Sequence, residues 1–467
     1  MGSRERFDLA VVGAGPGGYV AALRAAQLGS RVAVVEAEAA GGVCLNWGCI
    51  PSKALLTGAG LVEDLRRHGD TFGIGTGTLT LDYGKAIDHS RKTADRLCKG
   101  VQGLFKKNQI ELVAGRGRLA ARDAIEVTGA APRTVEADHL ILATGSAEWV
   151  PPGLEVDGER VLTSREALES KHVPERLVII GAGAVGLEFA YVYAMYGSQV
   201  TVVEMMDQVL PGADADVAQA VQREYRRKGI DVRLGTKFLG CEPDGDGLSV
   251  TLEGPKGSEA LPAGQLLAAI GRRPRSDDLG LEKVGVELDE KGFVGVDEGH
   301  RTSVSSILAI GDLAGGPLLA HKASEEGVSA AEHLAGQGGH PLDPRRIPSC
   351  IYCQPQVAWL VLGEAEARAQ FGDDLRVGKF PFTASGKAIA AGHTAGFAKI
   401  LAEPRHVAIV GAHLVGAGAT ELIAEIGVAL TLEATTEEIA ATCHAHPTLS
   451  EALLEAALDA EGRAINF

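Results

Sequence analysis

Apolar and polar positions follow the same order twice along this chain. Asp8 to Glu36 reads DLAVVGAGPGGYVAALRAAQLGSRVAVVE, and Leu177 to Glu204 reads LVIIGAGAVGLEFAYVYAMYGSQVTVVE, in one register from the first glycine to the last glutamate. Each copy predicts a short apolar strand, a glycine-rich turn, an alanine-rich helix without internal proline, and a β-branched strand ending on a carboxylate. That is a βαβ nucleotide-binding unit made twice. Two further apolar runs end in tight turns: Leu140 to Ser146, LILATGS, and Thr302 to Asp312, TSVSSILAIGD. The stretch Leu177 to Tyr196 is the most apolar, yet Glu188 and its glycine turn fit strand, turn and helix better than a bilayer span.

The glycines of the repeat have separate physical tasks. Gly13 and Gly181 permit the turn, Gly15 and Gly183 let backbone approach a pyrophosphate, and Gly18 and Gly186 let helix lie close to strand. The phosphates would meet a helix N-terminus. Glu36 and Glu204 end the second strands, placed to accept hydrogen bonds from ribose hydroxyls. At Glu204 the same charge would repel a 2'-phosphate, so the second site is expected to prefer NAD to NADP. Beside such a unit, a strand ending in Gly311 and Asp312 can set a carboxylate against the ribityl chain of a flavin.

Composition narrows the classes. A chain of 467 residues calls for roughly three or four packed units, and 45% apolar residues suffice to fill them. With 45 basic against 61 acidic residues, the net charge of −16 argues against a nucleic-acid partner. Met1 to Arg6 carries no apolar signal region, and no membrane span is expected, so a cytoplasmic location is the expectation. The seven cysteines are too dispersed for a secreted disulfide scaffold.

One pair stands apart. In GGVCLNWGCIPSKALL, Gly41 to Leu56, five positions separate Cys44 from Cys49. On one straight helix their Cα atoms would stand roughly 8 to 9 Å apart, beyond the about 7 Å a disulfide tolerates. Cys44 is therefore expected on a loop or distorted turn, with the regular helix starting near Pro51. Cys49 then sits at a helix N-terminus, which favours a thiolate, and Lys53 follows on the same face. Cys350 and Cys353 lack a second ligand pair and read as structural. Near the end, CHAHPTLSEAL places His446, able to exchange a proton near neutral pH, five residues before Glu451, which could orient its ring. Thr448 with Glu451 also reads as a capping box starting the last helix, and both readings can hold. His444 and His446 form an isolated HxH without further ligands, and no metal is expected.

These segments, with GAGAVGLE, the turn Ala143 to Gly145, AIGD at Ala309 to Asp312 and AHKASEEG at Ala320 to Gly327, resemble the flavin-dependent pyridine nucleotide-disulfide oxidoreductases. HPTLSE together with GCIPSK is similar to their lipoamide branch. The resemblance implies an α/β fold: two Rossmann-like domains, for FAD and NAD, and a C-terminal α+β dimerisation domain. It implies that Cys44 exchanges with the substrate disulfide and that Cys49 makes the charge-transfer contact with the flavin. Lys53 would lie by the flavin, paired with Glu188. His446, supported by Glu451, would act as base across a homodimer interface, with a cis peptide before Pro447. Thr144, Gly145, Ala320 and Gly271 would join the cofactor-binding residues named above. The implied reaction oxidises dihydrolipoyl groups on a lipoylated carrier of a 2-oxo acid dehydrogenase or glycine cleavage complex, and reduces NAD. A reductase of another disulfide, or a vestigial flavoprotein subunit, are the alternatives. Where the family usually has Thr, Glu and Gly, this chain has Cys353, Gln356 and Val361. Boundaries are expected near residues 150, 273 and 346, giving an FAD domain with the redox pair (1–150), an NAD domain (151–273), a central segment completing the FAD site (274–346) and an interface domain (347–467).

Overall fold

The computed structural model describes residues 6–75, 77–129, 131–339 and 342–467; the reading of residues 1–5 and the Pro341 end of the last expected join fall outside them. The chain forms two compact units, each from discontinuous segments: Met1–Ala54, Ile87–Trp149 and Gly271–Pro344 in the first, and Leu55–Ala86, Val150–Ile270 and Arg345–Phe467 in the second. Among the described residues no helix is long and apolar enough to cross a membrane.

The first unit is built on a sheet whose strands run, in spatial order, Glu111–Ala114, Val32–Glu36, Arg6–Val12, Arg133–Leu142, Ala124–Thr128 and Arg116–Ala121, with Ile307–Ala309 also paired to Arg133–Leu142. The strands around Arg6–Val12 are parallel, in the register Leu9↔Val32 and Leu9↔His139. Because successive side chains point to opposite faces, Ala10, Val12, Ala33, Val35, Leu140 and Leu142 fill one core. Leu9, Val11, Val32, Val34 and Ile141 fill another on the reverse face. Burial on both faces explains why these strands read as continuous apolar runs rather than alternating ones. The helix Pro16–Gln27 lies close to Ala320–Leu334: a Cβ on Gly327 would come 2.5 Å from the Gly17 carbonyl oxygen.

In the second unit a parallel sheet has the order Asp231–Arg233, Gln199–Val203, Arg176–Ile180, Gln265–Ala268, Val161–Leu162. Its helix Ala184–Met195 buries Leu187, Phe189, Tyr191, Val192 and Tyr193, so it is apolar all round because it is enclosed, not because it spans lipid. The same unit holds an antiparallel sheet in the order Ser349–Ile351, Val357–Val361, Ile409–Val415, Phe397–Ala402, Arg376–Pro381. The helices Ala419–Thr431 and Glu451–Ala460 add Ile423, Ile426, Leu453 and Ala456 to its core. The parallel core of the first unit's sheet, which ends in antiparallel strands, the parallel sheet of the second unit and the antiparallel C-terminal sheet with its helices agree with the expected fold class.

A buried charge cluster ties this unit together. Lys399, 1% exposed, places Nζ 2.8 Å from Asp214, 2.8 Å from Asp216 and 3.1 Å from Glu364. Burial works against its charge, but the carboxylates outweigh burial and raise its pKa. Removing one member of a buried ionic cluster strands the others. Lys399→Met is therefore expected to destabilise the protein by about 3 kcal/mol, seen as a fall in thermal midpoint of about 3 °C. A midpoint within 1 °C of the parent would show that the cluster carries no net stability.

Candidate active site

The redox pair sits where two helices meet at a break. Cys44 lies in the short helix Gly42–Trp47, and Cys49 begins the 20-residue helix Cys49–His68. Cys44 thus lies on a short helix rather than on the expected loop or distorted turn, and the long helix starts at Cys49 rather than at the expected Pro51. Gly48 breaks the helical path at φ −148°, ψ −113°, where a Cβ would stand 3.1 Å from the Val43 carbonyl oxygen. The break brings the Cα atoms to 4.7 Å, and the two sulfurs are bonded as a disulfide. Cys49 therefore occupies the N-terminal end of its helix, the position that stabilises a thiolate on reduction.

Asn46, between the cysteines, is buried and was not singled out by sequence. Its amide donates to the carbonyls of Ala40 (3.2 Å) and Gly42 (2.9 Å), and its side-chain oxygen accepts from the Cys98 thiol at 3.1 Å. Arg91 donates to its backbone carbonyl. Burial pushes the Cys98 thiol pKa up, which keeps it a neutral donor. The redox turn is thus clamped from the helix Tyr83–Lys107. Asn46 stood inside the cysteine motif, but nothing near it in sequence signals Cys98 or Arg91.

The glycine turns sort by steric demand. A Cβ on Gly13 or Gly181 would lie 2.3 or 2.4 Å from a carbonyl oxygen, at φ +103° and +102°; one on Gly18 or Gly186 would lie 1.9 Å from the carbonyl oxygen of Gly13 or Gly181. These four are required by the fold itself. A Cβ on Gly15 would meet nothing nearer than 4.0 Å, and one on Gly183 nothing within 4 Å. The middle glycines leave their backbone bare toward open space, as a group lying against the helix end requires. Gly15 and Gly183 cap Pro16–Gln27 and Ala184–Met195 without a side-chain cap and without an acid in the first turn. These N-termini fit a pyrophosphate.

Glu36 and Glu204 behave alike. Glu36 accepts from the backbone N–H of Ala14 (2.6 Å) and of Glu38 (2.8 Å); Glu204 accepts from Ala182 (2.8 Å) and Met206 (2.9 Å). Each carboxylate closes its own glycine turn, a duty sequence reasoning missed, and keeps further lone pairs for a ribose. Thr144 donates to the Arg275 carbonyl at 2.8 Å, before Gly145 turns at φ +71°. Asp312 lies in a short turn after Ile307–Ala309 and accepts from the Ser146 hydroxyl at 2.5 Å, which in turn accepts from Arg272 at 2.8 Å. The Gly311 N–H donates to Glu326 at 2.7 Å, and Lys322, 2.9 Å from Glu326, donates to the Gly311 carbonyl. Ala320 opens a 15-residue helix whose first turn has no acid. Gly271 turns at φ +136°.

Glu188 is buried in the second unit and accepts from the Tyr352 N–H at 3.0 Å. His446 Nδ1 lies 2.8 Å from Glu451, and its ring is 79% exposed. The other oxygen of Glu451 accepts from the Thr448 N–H at 2.8 Å, although the last helix starts at Glu451 behind Ser450 rather than as a full Thr448 box. That amide, and then His446, hold the Glu451 carboxyl below its ordinary pKa. The His446–Pro447 peptide is cis. His444 is tied elsewhere, to the Thr442 carbonyl (2.9 Å) and Glu425 (2.8 Å). Of the departures from the family pattern, Cys353 is buried against the Pro355 carbonyl, and Gln356 accepts from the Thr420 hydroxyl at 2.9 Å. Val361 takes φ +64°, a left-handed backbone that explains why glycine suits this position.

Family comparison agrees with this geometry. Residues 7–327 match the pyridine nucleotide-disulphide oxidoreductase model, and residues 347–457 match the dimerisation domain of the same family. The chain is 43% identical to the dihydrolipoyl dehydrogenase of Zymomonas mobilis over 99% of its length and 100% of the relative. It is 41% identical to that of Bacillus subtilis, over 99% of both chains. Among solved structures, LpdA of Mycobacterium tuberculosis superposes with a TM-score of 0.90 at 29% identity, over 96% of this chain and 98% of the other. RclA of Escherichia coli, described as an HOCl-induced flavoprotein disulfide reductase, gives 0.85 at 25% identity, over 96% and 98%. Its bonded cysteine pair, doubled dinucleotide turns and matches over nearly the whole length place the chain in the pyridine nucleotide-disulphide oxidoreductase family, on the branch of the dihydrolipoyl dehydrogenases.

Proposed function

We propose that the chain oxidises the dithiol of dihydrolipoyl groups to the disulfide and reduces NAD to NADH. The observation that carries this is the Cys44–Cys49 disulfide at the head of a long helix. FAD, when bound, supplies two-electron transfer between the reduced cysteine pair and NAD. Gly13, Gly15, Gly18, Glu36, Lys53, Thr144, Gly145, Gly311, Asp312 and Ala320 would hold FAD, and Gly181, Gly183, Gly186, Glu204 and Gly271 would hold NAD.

The steps taken by the chain's own groups follow from thiol–disulfide exchange. A substrate thiolate attacks Cys44 Sγ, the S–S bond to Cys49 breaks, and Cys49 leaves as the thiolate its helix end favours. The second substrate thiol attacks the mixed disulfide, which releases oxidised lipoyl and Cys44. His446 takes a thiol proton in this exchange, and Glu451 orients its ring. His446 points to solvent on its own chain, which supports its use by a second copy in a homodimer. We place the enzyme in the cytoplasm, where the cysteines outside the Cys44–Cys49 disulfide would stay reduced, with a lipoylated carrier as protein partner.

The test is a rate comparison on FAD-loaded protein. NADH formation from dihydrolipoamide and NAD should exceed that from glutathione and NAD by at least about a thousandfold. Equal or faster turnover of glutathione would overturn the assignment. NAD selectivity supplies a separate check. Glu204→Ala is expected to lower the NAD-to-NADP ratio of kcat/KM by at least about tenfold, roughly 1.4 kcal/mol. An unchanged ratio would place selectivity elsewhere.

A further inference from the structure

At the far end of the redox helix, in the second unit, three metal-ligating side chains converge. Asp64 and His68 stand four apart on the helix Cys49–His68 and so share a face. His393 comes from the loop after the helix Gly386–Ala391. One ligand atom of each lies within 4.8 Å of the other two, and His393 Nε2 is 3.4 Å from Asp64 Oδ1. The imidazoles of His68 and His393 meet edge to face at 5.5 Å.

The surroundings keep this cluster available. Gly392 turns at φ +77°, and a Cβ there would stand 3.0 Å from His68 Cε1 and Nδ1, so glycine lets the loop close onto the ring. Nearby cations have other partners: Arg66 donates to the Met195 carbonyl, Arg67 pairs with Glu63 and Glu224, and Lys228 pairs with Glu63. None of these pairs engages Asp64. Asp64 and His393 line a cleft of about 120 Å³, which gives an ion access from solvent.

We propose that Asp64, His68 and His393 form a binding site for a divalent cation that prefers imidazole, with zinc as its occupant and water completing the shell. Two nitrogens and one carboxylate oxygen suit zinc rather than magnesium or calcium. Ligands about 2 Å from one ion stand roughly 3.3 Å apart. The Asp64–His393 pair already has that spacing at 3.4 Å, and the His68 ligand atom lies within 4.8 Å of both. The alternative is an exposed ion pair beside an edge-on ring, which would hold no cation. Zinc would tie the C-terminal turn of the redox helix to the Gly392 loop, which makes this a structural site separate from the disulfide chemistry.

Calorimetric titration of the FAD-loaded, disulfide-oxidised protein with zinc chloride tests this, in a Cys443→Ser background that removes the exposed thiol. One equivalent should bind with Kd at or below about 10 μM and raise the thermal midpoint, reversibly on chelation. Asp64→Asn and His393→Gln should each weaken binding at least about tenfold and abolish the midpoint rise. Weaker binding in the parent, or binding that both substitutions leave unchanged, would overturn the site. Because Asp64 is half exposed, its variant should fold even if His393→Gln does not.

Discussion

Cys49→Ser is expected to reduce dihydrolipoamide-dependent NADH formation by at least about a thousandfold while FAD stays bound. Serine is close to cysteine in size, and the glycine turn around Gly13 to Gly18 does not involve Cys49, so the protein should keep its yellow colour. What is lost is the sulfur that must leave as a thiolate. Cys44 is then a lone thiol, so a substrate thiolate has no S–S bond to attack and no electron pair is carried onward. Steady-state rates with visible absorption on the same sample separate the two effects. Residual turnover above about one tenth of the parent would mean that the electrons take another route. Loss of flavin as well would mean that Cys49 acts in folding rather than in chemistry.

His446→Gln is expected to lower turnover by about a hundred- to ten-thousandfold, the usual range for a lost general base. Glutamine keeps the polarity and much of the size but cannot take a proton. The thermal midpoint should hardly move, because the ring is 79% exposed. The pH profile carries the specific signature. Glu451, held below its ordinary pKa by the Thr448 amide and by His446, stays ionised through the neutral range and cannot produce the rise in rate. Any increase of kcat/KM with pH through the neutral range should therefore vanish in the variant. A variant that keeps the parent's rate and profile would remove His446 from the chemistry. Mixed dimers of the Cys49→Ser and His446→Gln chains should regain part of the activity if each site draws its histidine from the other copy. Mixtures as inactive as either variant alone would argue against that arrangement.

What could be read from sequence was local and periodic. The doubled βαβ pattern was legible because the steric demands on Gly13, Gly18, Gly181 and Gly186 act within a few residues, and because strands buried on both faces leave long apolar runs. The cysteine pair was legible because helix geometry forbids five residues of straight helix between bonded sulfurs. That argument required a break but could not place it at Gly48, since a loop and two short-linked helices satisfy the same distance. The clamp on Asn46 depends on Cys98 and Arg91, which the chain reaches only after another helix has begun. The Lys399 cluster likewise joins residues far apart in sequence, and its lysine sits in an apolar strand where a charge looks out of place. Asp64 and His68 carry a helical spacing, but their third member arrives through a glycine turn more than three hundred positions later. Such groupings are set by tertiary packing, which no window of sequence contains.

Titrating free thiols in the FAD-loaded protein before and after NADH tests the relay most directly. The number should rise by two per chain, and neither new thiol should form in Cys49→Ser. A count that stays constant while NADH is consumed would show that electrons pass from nicotinamide to flavin without ever reaching the Cys44–Cys49 bond.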